Sequence, residues 1–181
     1  MGRQPPAKGQ ETLTPDRPRT PLSRNAWLQA VLLGAGLFAL SLLIRATANM
    51  FVGSFTAGPG APESMVAASD AVSRLAYGLL LVVLLPAVIE TPLVVWAVRR
   101  ARDDAPGLGL AVIIAIVSAL AWLLHGMSAG SLGQAAAFAV MAYAAWRWSR
   151  RLGRFHAYAL PTLSHAVWNG IVVALFMANP N

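Results

Sequence analysis

Four stretches of this chain, Ala26–Ile44, Leu75–Val98, Leu108–Met127 and Ala157–Ala178, are apolar over about the length of a membrane-crossing helix, and a fifth, Leu132–Trp146, is nearly so. About 20 residues at 1.5 Å each cover the roughly 30 Å of a bilayer's hydrocarbon core, whose backbone polar groups only a helix or a closed barrel satisfies. Runs of this length have no place in an ordinary soluble domain. The expected fold is therefore all-α, a multi-span integral membrane helical bundle of about five transmembrane helices. The fifth stretch is short for a span. It is expected to be buried within protein or extended to the interface by Trp146 and Trp148.

Composition agrees. Hydrophobic side chains make up 57% of the 181 residues, above the roughly half that is usual for soluble domains. The net charge of +7 is no sign of nucleic acid, because the basic residues stand in short clusters beside apolar runs and form no basic domain. With the N-terminus cytoplasmic, twelve of the fourteen basic residues fall on the cytoplasmic side, and only Arg45 and Arg74 fall outside. The positive-inside rule thus predicts an N-in, C-out chain. There is no cysteine, which excludes disulfides, thiolate metal sites and a cysteine nucleophile.

Residues 1–25 hold five prolines, no aromatic residue and few aliphatic ones, and read as a disordered basic cytoplasmic tail. The apolar run after it has full spanning length and no small-residue cleavage site, so it reads as a signal anchor. Residues 26–181 form the membrane domain. Between the first two runs, Arg45 to Arg74 reads as a loop through TAGPGAPES, with a short interfacial helix at about Ala48–Phe55.

Within these runs a few residues carry chemistry. Glu90 is the only carboxylate inside a long apolar run, VVLLPAVIETPLVVW. An acid at bilayer depth costs on the order of 3 kcal/mol or more, so its retention is by default a functional hypothesis. Pro86 and Pro92 flank it, each removing a helical hydrogen bond, and broken helices at membrane depth usually line a cavity. His125 closes the next run. His165 and Asn169, four residues apart in SHAVWNG, share one helix face. An amide one turn from an imidazole orients it or donates to an oxyanion, and the plain alternative is an interhelical hydrogen bond. His156, in RRLGRFHAY, reads as interfacial, the tryptophans as packing or belt residues, and RWSRRLGR as a topology signal that also touches anionic lipid.

An acid, a histidine 35 residues on and HxxxN another 40 residues on, each on its own apolar run, resembles the CPBP family of intramembrane proteases. That family includes type II CAAX prenyl endopeptidases and bacteriocin-immunity (Abi) proteins. Its motifs are EExxxR, FxxxH and HxxxN or HxxxD. The resemblance covers about residues 75–178. HAVWN, from His165 to Asn169, matches the third motif in full. His125 matches the second, with Ala121 where phenylalanine is usual. The first is degraded: Glu90 matches its first glutamate, Thr91 replaces the second and Val95 the arginine; set on the second glutamate instead, Glu90 leaves Ile89 in place of the first and Val94 in place of the arginine.

The resemblance implies a glutamate-type endopeptidase without organic cofactor in which Glu90 and His125 activate a water, while His165 and Asn169 stabilise the oxyanion. Its substrate is a peptide bond of a membrane-associated protein or peptide, and its setting a bacterial cytoplasmic membrane with lipid as the other partner. As a metalloprotease, Glu90, His125 and His165 would be three zinc ligands, but no HExxH and no second intramembrane acid is present to act as base. The degraded first motif equally suits a catalytically inactive protein of the same fold that acts by binding, in immunity or regulation. A small transporter or proton relay is a third reading, resting only on the intramembrane ionisable residues. One expectation counts against a tight site: along straight helices Glu90 and His165 lie about 12 Å from the cytoplasmic ends of their runs and His125 about 25 Å from the start of its own.

Overall fold

A computed structural model describes residues 25–52, 70–100 and 107–178, and the predicted tail at residues 1–24 lies outside the described residues. Everything described is helix or helix connection. Helix α1 runs Asn25–Val52, α2 Ala71–Tyr77, a π-helical segment Gly78–Leu84, α3 Leu85–Val98, α4 Gly107–Leu124, α5 Leu132–Arg151 and α6 Arg154–Ala178. Four helices among the described residues are long and apolar enough to cross a membrane: Asn25–Ala48, Ala71–Val98, Gly107–Leu124 and Arg154–Ala178. This is compatible with an integral membrane protein.

Burial in α1 is the inverse of a water-soluble helix. Ala26, Ala30, Gly34, Leu37 and Ser41 form the buried stripe, at helical spacing, while Leu28, Leu32, Leu42 and Leu43 on the other faces are exposed. Small residues inside and large aliphatic ones outside are what helices need when lipid is as apolar as leucine and only close backbone approach is left to gain. Two crossings depend on it. A Cβ built on Gly34 stands 2.5 Å from Ser164 O of α6, and one on Gly133 of α5 stands 2.4 Å from Ser41 O. At the first crossing the Ser164 hydroxyl also donates to Ala30 O at 2.8 Å.

The short fifth run becomes the centre of the bundle. Helix α5 packs against α1, α3, α4 and α6, burying Gly133, Ala137, Phe138, Met141, Ala142 and Ala145. Its apolar part is too short to face lipid alone, and its alanines let four neighbours approach. Leu152 and Gly153 alone separate α5 from α6, so the two lie antiparallel side by side.

Several predicted boundaries move. The first helix does not end at Ile44: Arg45–Val52 continues α1, with the Thr47 hydroxyl donating to Leu43 O at 2.8 Å inside it. Twenty-eight residues make a helix of about 42 Å, longer than the hydrocarbon core, so its polar end needs no loop. The interfacial helix expected at 48–55 is therefore the end of α1 as far as Val52, and residues 53–55 lie outside the described residues. At the far end of that connection Asp70 caps α2, accepting from Ser73 N at 2.8 Å; this amide, more than the Ser73 hydroxyl, holds its carboxyl below the usual carboxylate range. The third run stops at Leu124, not Met127. Gly126 at φ 93° and Met127 at φ 50° turn the chain, and the Trp122 indole pins that turn by donating to Ser128 O at 3.0 Å.

The second run is one continuous helix, Ala71–Val98, whose hydrogen-bond register changes within it, though not at a proline. Through Gly78–Leu84 the backbone is π-helical, and the Leu85 amide accordingly donates to Leu80 O, five residues back. The next residue, Pro86, has no N–H, so Val82 O loses the donor that an α-helix would give it four residues on. Pro86 therefore leaves Val82 O, in a part-buried stretch, open to a donor from another helix.

Candidate functional site

That donor is Asn169. Its Nδ2 donates to Val82 O at 2.8 Å, across 87 residues of sequence. One N–H of the amide that shares a helix face with His165 is thus held by a carbonyl of the π segment.

Helix α3 carries Glu90 one turn beyond Pro86 and presents two adjacent side chains to His165. Glu90 Oε2 stands 4.0 Å from His165 Nε2, and Thr91 Oγ1 stands 3.0 Å from His165 Nδ1. Each ring nitrogen therefore faces an oxygen from the same helix turn. Thr91 is fully buried and His165 almost so, with its side chain 3% exposed, whereas the Glu90 side chain is 35% exposed. At 4.0 Å the two groups face each other but are too far apart for a hydrogen bond. This spacing leaves the carboxylate able to turn toward a second partner.

Two aromatic rings hold the imidazole's plane. Phe138 of α5 stands edge-on to His165 with ring centroids 5.3 Å apart, and Trp168 lies 5.7 Å away at a tilt. Phe138 and Trp168 also touch each other at 5.8 Å. Phe138 reaches His125 as well, at 6.1 Å, so the aromatic ring beside His125 comes from α5, where the chain has Ala121 in its own helix. Position 121 contributes its backbone: Ala121 O lies 2.7 Å from His125 Nδ1. A carbonyl only accepts, so Nδ1 carries the hydrogen, and Nε2 is left for another partner.

On the outer side of this cluster lies a cavity of about 390 Å³ between α3 and α4. Glu90, His125 and Phe138 line it, together with apolar side chains that include Leu93, Trp96 and Leu120. Glu90 therefore stands between the cavity and His165. The expected depth mismatch does not separate Glu90 from His125, since both reach one cavity. His165 and Asn169 do not line it; they stand behind Glu90 and against the π segment.

Of the four side chains singled out in the sequence, the fold brings Glu90 and His165 together, puts His125 on the cavity they border, and turns Asn169 to Val82. Three further residues belong to the cluster. Thr91 was legible as a polar neighbour of an intramembrane acid. Trp168 was legible as the residue one turn from His165, though read as packing or belt. Phe138 had no signal in the sequence, being one aromatic in an alanine-rich helix. His156 lies at the start of α6 with its ring 5.9 Å from Trp27, apart from this cluster.

As a zinc centre the cluster does not fit. Among the described residues no three His, Cys, Asp or Glu side chains stand close enough to hold a metal ion. No protein-family model matches the chain, and neither a curated protein nor a solved structure does.

Proposed function

We propose that this chain is an intramembrane endopeptidase of the CPBP type, in a bacterial cytoplasmic membrane, hydrolysing a peptide bond of a membrane-associated protein or peptide. The observation that carries it is Glu90, with its carboxylate 4.0 Å from His165 Nε2 on one side and an apolar cavity shared with His125 on the other. A carboxylate so held is suited to general-base work. It takes a proton from a water in the cavity, and the water oxygen adds to the peptide carbonyl carbon. The C–N bond then breaks as the proton passes to the leaving amine. His125 lines the same space, and with its hydrogen fixed on Nδ1 its Nε2 is left to accept a proton when neutral and to donate to the developing oxyanion when charged. The apolar walls exclude bulk water and strengthen each of these contacts. Lipid and the peptide substrate are the partners this reading requires.

The test compares the N-termini of membrane proteins in cells carrying the wild type and Glu90→Gln, at equal expression. Cleavages present with the wild type and absent with Glu90→Gln are expected. The same cleavages in both would refute Glu90 as the base.

A second reading is favoured by Asn169. With one amide N–H held on Val82 O, Asn169 is turned to the π segment and away from the cavity, as suits an inactive protein of the same fold that binds a peptide or protein partner. On that reading the Glu90→Gln cell keeps its phenotype, and bulky substitutions in the cavity wall, such as Leu120→Trp, lose it.

A further inference from the structure

We infer that Thr91 is a positioning residue: its hydroxyl donates to His165 Nδ1 and thereby keeps the imidazole hydrogen on Nε2, directed at Glu90. The inference deepens the reading of Glu90 and His165 as the working pair and rests on it for its functional meaning, though not for its geometry.

The geometry is local and complete. Thr91 and His165 lie 74 residues apart, yet their polar atoms meet at 3.0 Å with both residues buried. An imidazole there has one question open, which nitrogen carries the hydrogen, and its neighbours answer it. On the Nε2 side stands a carboxylate oxygen, an acceptor that favours an N–H facing it. On the Nδ1 side stands a hydroxyl, which donates or accepts as required. With the Thr91 O–H donated to Nδ1, the ring hydrogen sits on Nε2 and faces the carboxylate at 4.0 Å, an electrostatically favourable orientation though not a hydrogen bond. Phe138 and Trp168 fix the ring plane, so the ring cannot exchange its two nitrogens by turning over without displacing them.

His125 is the opposite case. Its Nδ1 faces Ala121 O at 2.7 Å, and the carbonyl forces the hydrogen onto Nδ1. Two histidines next to one carboxylate thus hold opposite tautomers. His165 points a donor at Glu90, and His125 presents an acceptor nitrogen. A base needs that division, with one imidazole to orient the carboxylate and one able to move a proton. Thr91 is therefore more than a loss from the acidic motif, since its hydroxyl orients the imidazole from the ring's other nitrogen.

The chain has three histidines, so histidine-selective ¹⁵N labelling of the full chain in phospholipid nanodiscs gives three assignable rings, using His125→Gln and His156→Gln as assignment variants. The wild type is expected to show His165 with Nδ1 unprotonated and Nε2 protonated. In Thr91→Val, which keeps shape and removes the hydroxyl, Nε2–H is expected to lose its dominance, and Thr91→Ser is expected to restore it. A wild-type His165 with its hydrogen on Nδ1 would overturn the inference, and that measurement needs no variant to fold. An unchanged tautomer in folded Thr91→Val would overturn it too. With a cleaved substrate in hand, Thr91→Val is expected to lower kcat by about tenfold or more at little change in KM, as loss of an orienting partner does. Absence of cleavage by the wild type would refute the endopeptidase reading and leave the tautomer result standing.

Discussion

At the scale of single residues, an orphaned carbonyl explains Asn169 better than its neighbour in sequence does. Pro86 deprives Val82 O of its helical donor, and the Asn169 amide replaces it at 2.8 Å. The two residues should then be coupled in stability. Asn169→Ala is expected to cost about 1 to 2 kcal/mol, since it removes an interhelical hydrogen bond and leaves a backbone acceptor unmet. In a Pro86→Ala background the helix can supply its own donor at position 86, and the same substitution is expected to cost less than half as much. Unfolding in detergent of the four proteins of this cycle measures the difference. Equal costs in both backgrounds would mean that the bond to Val82 O does not matter. A spacing of four residues correctly placed His165 and Asn169 on one side of a helix, but one side of a helix faces more than one neighbour. His165 meets α3 and Asn169 meets the π segment before it.

Among the elements, the small-residue crossings decide what the bundle tolerates. Gly34 and Gly133 bring α1 onto α6 and α5 so closely that an added Cβ would stand 2.5 Å or less from backbone oxygen. Backbone does not move aside as a flexible side-chain end would. Gly34→Ala is expected to destabilise the protein by about 1 to 3 kcal/mol, whereas Gly36→Ala, two residues on and facing open space, is expected to be neutral or slightly stabilising through helix propensity. Thermal unfolding of the purified proteins distinguishes them. The existence of these helices was readable from hydropathy alone, while their ends were not. Arg45–Val52 stays helical because nothing in it breaks a helix, and a change from apolar to polar marks where a membrane would end and not where hydrogen bonding ends. The π segment was unreadable for a related reason. Proline signals a break, but the structure takes up the irregularity in the turn before it, where Gly78 is buried and the chain packs on α6.

For the molecule as a whole, most of the described basic residues, all but Arg45 and Arg74, gather at one end of the bundle. The Arg99 guanidinium at the end of α3 lies 5.8 Å from the centre of the Tyr158 ring near the start of α6, and Trp27 near the start of α1 meets His156 at 5.9 Å. The end of α5, with Arg147, Arg150 and Arg151, and Arg154 at the start of α6 lie beside them, since only two residues link the helices. Arg45 is at the other end, its Nε 3.7 Å from a Cβ built on Gly130. A chain free of cysteine makes orientation directly measurable. In the proposed N-in arrangement, a thiol at Gly153→Cys is expected to react with an impermeant maleimide only from the cytoplasmic side, and one at Met127→Cys only from outside. The reverse labelling would overturn the orientation.

Hydropathy and length alone determined that the chain is helical and how many long helices it has, because backbone hydrogen bonding and apolar burial within one run are local properties. The same local reasoning identified Glu90, His125 and His165 as costly groups in an apolar setting. What only the tertiary structure decided is which of their atoms meet. The approach of Glu90 and Thr91 to His165, the reach of Phe138 across both histidines and the capture of Val82 O by Asn169 depend on helix rotation and crossing. Those are set by packing between residues on different helices, up to 87 positions apart, where periodicity carries no information.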